Sequence, residues 1–196
     1  MWLRPLCLLG VALTSCGCFG GPASRAYVLS VASDSAPAQA TAANFPSLQV
    51  TTAALPSFLD NSDILVRHGP HALDSSPTGH WGERLSLGIT HALAADLSQK
   101  LPGYRVSLAR SETPSGRRLQ LEVDSFDVYP DGHCVLAASW AIVQKSGDAP
   151  VTLGQGVFTT PAAGVNHAAD EELVSAMADT ISQLADAIGS TMADDH

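Results

Sequence analysis

Apolar side chains return every third or fourth position over two long stretches of the chain. In residues 79–101 the stripe is Trp81, Leu85, Ile89, Leu93, Leu97 and Leu101, widened by Gly88 and Ala92. In residues 168–192 it is Leu173, Met177, Ile181, Leu184, Ile188 and Met192. This spacing follows the helical turn, so both stretches predict amphipathic helices with one buried face. Pro102 and Gly103 end the first, and Asp170, Glu171 and Glu172 open the second, where the helix dipole favours negative charge.

Elsewhere the period falls to two. Residues 118–129, RLQLEVDSFDVY, set Leu119, Leu121 and Val123 against polar neighbours and then change phase at Phe126 and Val128, which predicts a strand with a bulge near Ser125. A tight turn at Pro130, Asp131 and Gly132 returns the chain antiparallel through 134–144, CVLAASWAIVQ. A second turn at Ser146, Gly147 and Asp148 leads into 151–159 and completes a three-strand meander. Shorter strand-like runs lie at 26–31, 47–52, 64–67, 71–73 and 104–108. Residues 33–45 read as a small-residue loop and 111–116 as a turn. The order predicts an α+β fold, a mostly antiparallel sheet with two long amphipathic helices packed on one face.

Composition narrows the function. A chain of 196 residues, 45% hydrophobic, can bury the core of one domain. Its formal charge of -9, from 10 basic and 19 acidic residues, leaves no basic stripe for phosphates, so nucleic acid is excluded as a partner. Anionic headgroups would not attract it either, and membrane attachment needs a covalent or apolar anchor.

The N-terminus offers one. Residues 1–15, MWLRPLCLLGVALTS, place Arg4 ahead of an apolar run at 6–13, too short to span a bilayer, which takes about 20 residues. This is the order of a secretory signal. The sequence Leu13-Thr14-Ser15-Cys16 resembles the bacterial lipobox, which implies diacylglyceryl transfer to the Cys16 thiol and cleavage just before it. Cys18 fits less well, because Ser15 would stand in the Leu position. The expected organisation is a signal peptide over 1–15, a lipidated tether over 16–25 and a single domain over 26–192. Gly17 after the acceptor resembles the sorting pattern of outer-membrane lipoproteins. Cys18 and Cys134 then remain, too few for a disulfide framework; Cys134 reads as a small core residue, with a bridge to Cys18 as the alternative.

Catalysis has no visible seat, since no G-x-S-x-G elbow or glycine-rich phosphate cradle occurs. His68-Gly69-Pro70-His71 with His80 is the best metal candidate, but a Gly-Pro between two His reads more simply as a turn. Glu122, Asp124 and Asp127 read as a solvated face. Gly154 and Gly156 interrupt a strand and mark a bulge or a close backbone approach. No cofactor or metal is expected. Two features stand apart from the bulk core: Leu55, Pro56, Phe58, Leu59 and Asp60 place apolar and aromatic side chains in a loop, and HWGERL, with Trp81 and Leu85, starts the long helix on a large aromatic. These seven are the candidate partner-binding residues.

Taken in order, the lipobox, Tyr27-Val28-Leu29, LPSFLDNSDILVR, HWGERL, LAADLSQKLPGYRV and LQLEVDSFDVYPDGHCVLAASWAIV resemble the ABC-type transport auxiliary lipoprotein family, the PqiC-like lipoproteins that accompany MCE-domain lipid transporters. The resemblance runs from about residue 26 to 188. It implies a non-enzymatic lipoprotein on the periplasmic face of the outer membrane of a Gram-negative bacterium. Its partner would be a periplasmic MCE-domain protein of an ABC-type system that moves lipid between the membranes and supports envelope integrity. The resemblance also allows a homo-oligomer. The family often has a basic residue after the loop's Asp, where this chain has Asn61-Ser62-Asp63. The alternative function is a periplasmic lipid-binding module that itself carries acyl chains between sheet and helices.

Overall fold

The computed structural model describes residues 24–29, 45–108, 116–144, 150–161 and 168–193. Its elements are β1 (Arg25–Tyr27), β2 (Ser47–Val50), β3 (Asp63–Gly69), β4 (Ala72–Trp81), α1 (Leu85–Lys100), β5 (Arg105–Ser107), β6 (Gly116–Val128), β7 (Cys134–Gln144), β8 (Pro150–Thr160) and α2 (Asp170–Ala193). Cys16, Cys18, the signal segment, most of the loop at 33–45 and the turns at 111–116 and 146–148 lie outside the described residues, apart from Gly116 at the start of β6.

β6, the long alternating strand, is the spine of an eight-stranded sheet. β7 follows one of its edges throughout, and β8 follows β7, giving the expected meander. The other edge is shared: β2 pairs with its first half, with β5 beyond, while β3 meets it at Val128, with β4 and then β1 beyond. The ladder slips between Val123 and Ser125, leaving Asp124 as the extra residue of the bulge and accounting for the phase change. Gly132, at φ 85°, supplies the left-handed step of the turn into β7.

The sheet is mixed, which corrects the expectation of a mostly antiparallel one. Among the described residues, four of the seven strand pairings are parallel, β1–β4, β2–β5, β2–β6 and β3–β6, against three antiparallel. The reason is topological. Hairpins can be read locally, whereas a parallel pair joins segments that meet only after a long crossover.

One face of β6 buries Leu119, Leu121, Val123, Phe126 and Val128, and the other exposes Gln120, Glu122 and Asp124. The buried side chains join those of both helices in a single core cluster. Leu93, Leu97, Ile181, Leu184 and Ile188 have no exposed surface; each contributes about 1.5–3 kcal/mol by leaving water. α2 matches its expected span and buried stripe. α1 begins later than expected. Trp81 belongs to β4, opposite Tyr27 of β1, and the helix starts at Leu85. Ser86, Thr90 and Ala94 are buried as well, so α1 is embedded rather than laid on the surface by one face. Thr90 suits that setting: its hydroxyl donates to the Ser86 carbonyl at 2.6 Å and accepts the Ala53 N–H at 2.9 Å. No described helix is long and apolar enough to cross a membrane.

Candidate partner-binding loop

The apolar loop closes on itself and then onto a helix end. Leu59 and Asp60 N–H groups both donate to the Pro56 carbonyl, at 2.9 and 3.3 Å. Asn61 Nδ2 donates to the Phe58 carbonyl at 2.8 Å, while Asn61 Oδ1 accepts the Asp63 N–H at 2.7 Å. This is the turn-forming role of Asn. The loop then supplies what the first turn of α1 lacks. No side chain of Arg84, the residue preceding the helix, caps it; instead Asp60 Oδ1 accepts the Ser86 N–H at 3.0 Å and the Asn61 carbonyl accepts the Leu85 N–H at 3.4 Å. Orphan helix donors are thereby met from a loop more than twenty positions upstream.

Arg84 completes the arrangement, its guanidinium reaching Asp60 Oδ2 at 2.5 Å. Partial burial alone would raise the Asp60 carboxyl, but hydrogen bonds from the Ser86 N–H and hydroxyl, together with Arg84, outweigh it and hold the group below its ordinary value.

The seven candidate residues separate into two groups. Leu59, Trp81 and Leu85 are buried at 2–4% exposure, and Leu55 packs against the core. Trp81 is tied to the loop through its main-chain N–H, which donates to the Ser62 carbonyl at 2.7 Å. Phe58 is 50% exposed, and Pro56 and Asp60 are intermediate. The loop therefore has an inner side that fixes it and an outer side led by Phe58. Arg84, Ser86 and Asn61 were not among the candidates; the helix boundary hid them, because a cap cannot be sought at an end that is misplaced by several residues.

Other groups offer little chemistry. Cys134 is fully buried beside Thr180, and burial pushes its thiol up to about 12. His133 stacks on Tyr129 and bonds Asp131 at 2.6 Å, and His91 bonds Glu83 at 3.0 Å. Among the described residues no three potential metal ligands converge. The interior between helices and sheet is filled by Leu93, Leu97, Leu119, Ile181, Leu184 and Ile188, which is where an acyl-chain carrier would need space. An open cleft of about 670 Å³ lies at the sheet instead, with Ala54, Gln120, Glu122, Ser139, Ala141, Leu153 and Gln155 among its lining residues.

Kinship extends over the whole of this geometry. The family of ABC-type transport auxiliary lipoprotein components matches residues 27–189, and the chain belongs to it. No curated protein matches the chain. Among solved structures it is similar to the crystal structure of an uncharacterized protein, with 20% identity, a TM-score of 0.63 and 75% of this chain and 92% of that one covered. It is also similar to protein XCC0632 from Xanthomonas campestris, of family DUF330, with 13% identity, a TM-score of 0.60 and 86% and 91% covered. A more distant likeness is to the PelC dodecamer from Paraburkholderia phytofirmans, with 15% identity, a TM-score of 0.41 and 83% and 91% covered. At these identities the first two share the fold alone with this chain.

Proposed function

We propose that this auxiliary component is a non-enzymatic lipoprotein, anchored through Cys16 to the periplasmic face of the outer membrane, that serves an MCE-type lipid transport system and thereby supports envelope integrity. The observation that carries the reading is Leu13-Thr14-Ser15-Cys16, which closes a short apolar run only eight residues before Ser24, where the described fold begins. Cleavage before Cys16 would leave residues 16–25 as the tether and the domain behind it as the working body. Eight extended residues reach roughly 29 Å at most. The folded body would therefore stay close to the bilayer while presenting its loops to a periplasmic partner.

Phe58, with Pro56 and Leu55 beside it, is the contact we assign to the MCE-domain protein. Leu59, Asp60, Trp81 and Leu85 act from beneath by holding that loop in one conformation, which lowers the ordering cost of binding. The test is made in the native host. Cys16→Ala should abolish acylation and move the protein from the membrane to the soluble periplasmic fraction, and the wild-type protein should co-purify with an MCE-domain protein after crosslinking. An unacylated wild type, or repeated capture of the membrane fraction without any MCE-domain protein, would overturn the proposal.

A further inference from the structure

β8 is an edge strand without the usual protection. Among the described residues it pairs only with β7, and its eleven residues, PVTLGQGVFTT, include no charge. Edge strands are normally blunted by Lys, by inward charges or by strong bulges, because their unpaired N–H and C=O groups recruit other strands. Among the described residues such devices are confined to the very start of the strand, where Pro150 stands and the ladder with β7 slips between Pro150 and Thr152. Leu153 and Val157 are each 69% exposed, on the sheet face opposite the helices, where Ala141 and Ala137 are their neighbours on β7.

The direction of the backbone groups follows from two contacts. The Cys134 N–H reaches Thr160 Oγ1 at 3.1 Å, so Cys134 turns its main chain toward β8, and Thr160 opposite it turns toward β7. Alternation then points the N–H and C=O groups of Leu153, Gln155, Val157 and Thr159 to the unpaired side. The Thr159 carbonyl accepts from Gln183 Nε2 of α2 at 3.3 Å, as that direction requires. The end of the strand is thus covered, and the stretch from Leu153 to Val157 is left to pair.

We propose that this stretch pairs antiparallel with the same stretch of a second copy of the chain, about a two-fold axis at Gln155. The strand is self-complementary about that point. Antiparallel pairing sets Leu153 opposite Val157 of the second copy, Val157 opposite its Leu153, and Gln155 opposite its Gln155, with all these main-chain groups already facing the partner. About six inter-strand hydrogen bonds would form, and two apolar cross-strand pairs would be sheltered on one face. Charge selects the occupant. Two copies of a chain with net charge -9 repel one another over most of their surface, and an uncharged strand is where they can approach without setting like charges face to face. Each copy contributes the same patch, as a closed two-fold contact demands.

The test uses the full-length lipoprotein. In native membranes and a Cys18→Ser background, Gln155→Cys treated with a short bis-maleimide should give a species of twice the monomer mass. Gln120→Cys should not, because β6 is two strands inward and the two positions would stand roughly 24 Å apart or more. In detergent, light scattering should report a dimer for the wild type and a monomer for Gln155→Lys, whose charges would meet at the axis and raise the dissociation constant about tenfold or more. The Lys faces solvent in a monomer, so its melting temperature should match that of the dissociated wild type. Absence of the dimer at position 155, equal crosslinking at both positions, a crosslink to a different polypeptide, or an assembly indifferent to Gln155→Lys would each overturn the proposal.

Discussion

Replacing Asp60 by Ala should loosen the start of α1 and, with it, the loop that presents Phe58. The side chain accepts the Ser86 N–H at 3.0 Å and Arg84 at 2.5 Å. Losing a helix-capping acceptor costs about 1 kcal/mol, within a range of about 0.5–2. The Arg84 contact adds at most about 1 kcal/mol, because that guanidinium is 66% exposed. A total loss of about 1–2 kcal/mol corresponds to a fall of about 2–8 °C in Tm for a domain of this size. Urea titration should show a lower midpoint with an unchanged slope, since the surface exposed on unfolding is the same. Asp60→Asn should lose less, because an amide oxygen can still accept the Ser86 N–H, and Arg84→Ala less again.

The pH dependence gives this prediction a second edge. The folded-state carboxyl of Asp60 is held below the value of 3.8 that it has when free. Its contribution is therefore fully present above that value and is lost as pH falls through the lower folded-state value. The gap between wild type and Asp60→Ala should be constant from neutral pH down to about 5 and should close below about pH 4. Equal stability at pH 7, or a gap that persists undiminished at low pH, would refute the capping role.

Four further outcomes are expected. Gly154→Ala should destabilise by about 1–3 kcal/mol through overpacking, because its new Cβ would stand 2.3 Å from the Trp140 ring; Gly69→Ala, with nothing within 4 Å, is the control for the change itself, both read by urea titration. Cys134 should resist alkylation at pH 8 in the folded protein and react once denatured, since burial pushes its thiol up to about 12; labelling of the native state in a Cys18→Ser background would contradict this. Ile188→Ala should cost about 2–5 kcal/mol at a site with no exposed surface. Phe58→Ala should change stability by no more than about 0.5 kcal/mol while reducing capture of the MCE-domain partner, whereas equal capture by both proteins would remove Phe58 from the contact.

Much of this molecule could be read from local pattern. The β6–β7–β8 meander, the slip beside Ser125 and the whole of α2 follow from alternation, turn residues and a four-residue repeat, all of which act over short spans. What escaped was set by distant partners. The sequence from Ala72 to His80 is polar and carries Pro77, so nothing in it declares a ten-residue strand; it is ordered by β1 and β3 on either side. Trp81 stood one helical repeat before Leu85 and was drawn into the helix by that accident of spacing. The parallel contacts were equally silent, because β2 finds β6 across a crossover that contains α1 and other strands.

The candidate loop shows the same division. Its membership was legible, since an apolar stretch in a loop demands an explanation, and five of the seven residues lie together in it. Their roles were not. Leu59 and Trp81 are buried supports, Asp60 is a cap for a helix whose start the periodicity had misplaced, and Phe58 alone is half exposed.

A photo-crosslinking residue placed at position 58 of the lipoprotein in its native host tests the central claim most directly. The account predicts a light-dependent adduct with a periplasmic MCE-domain protein, present with Cys16 intact and reduced by Cys16→Ala. An adduct with an unrelated protein, or no adduct at position 58 while probes on the opposite side of the fold capture the transporter, would contradict it.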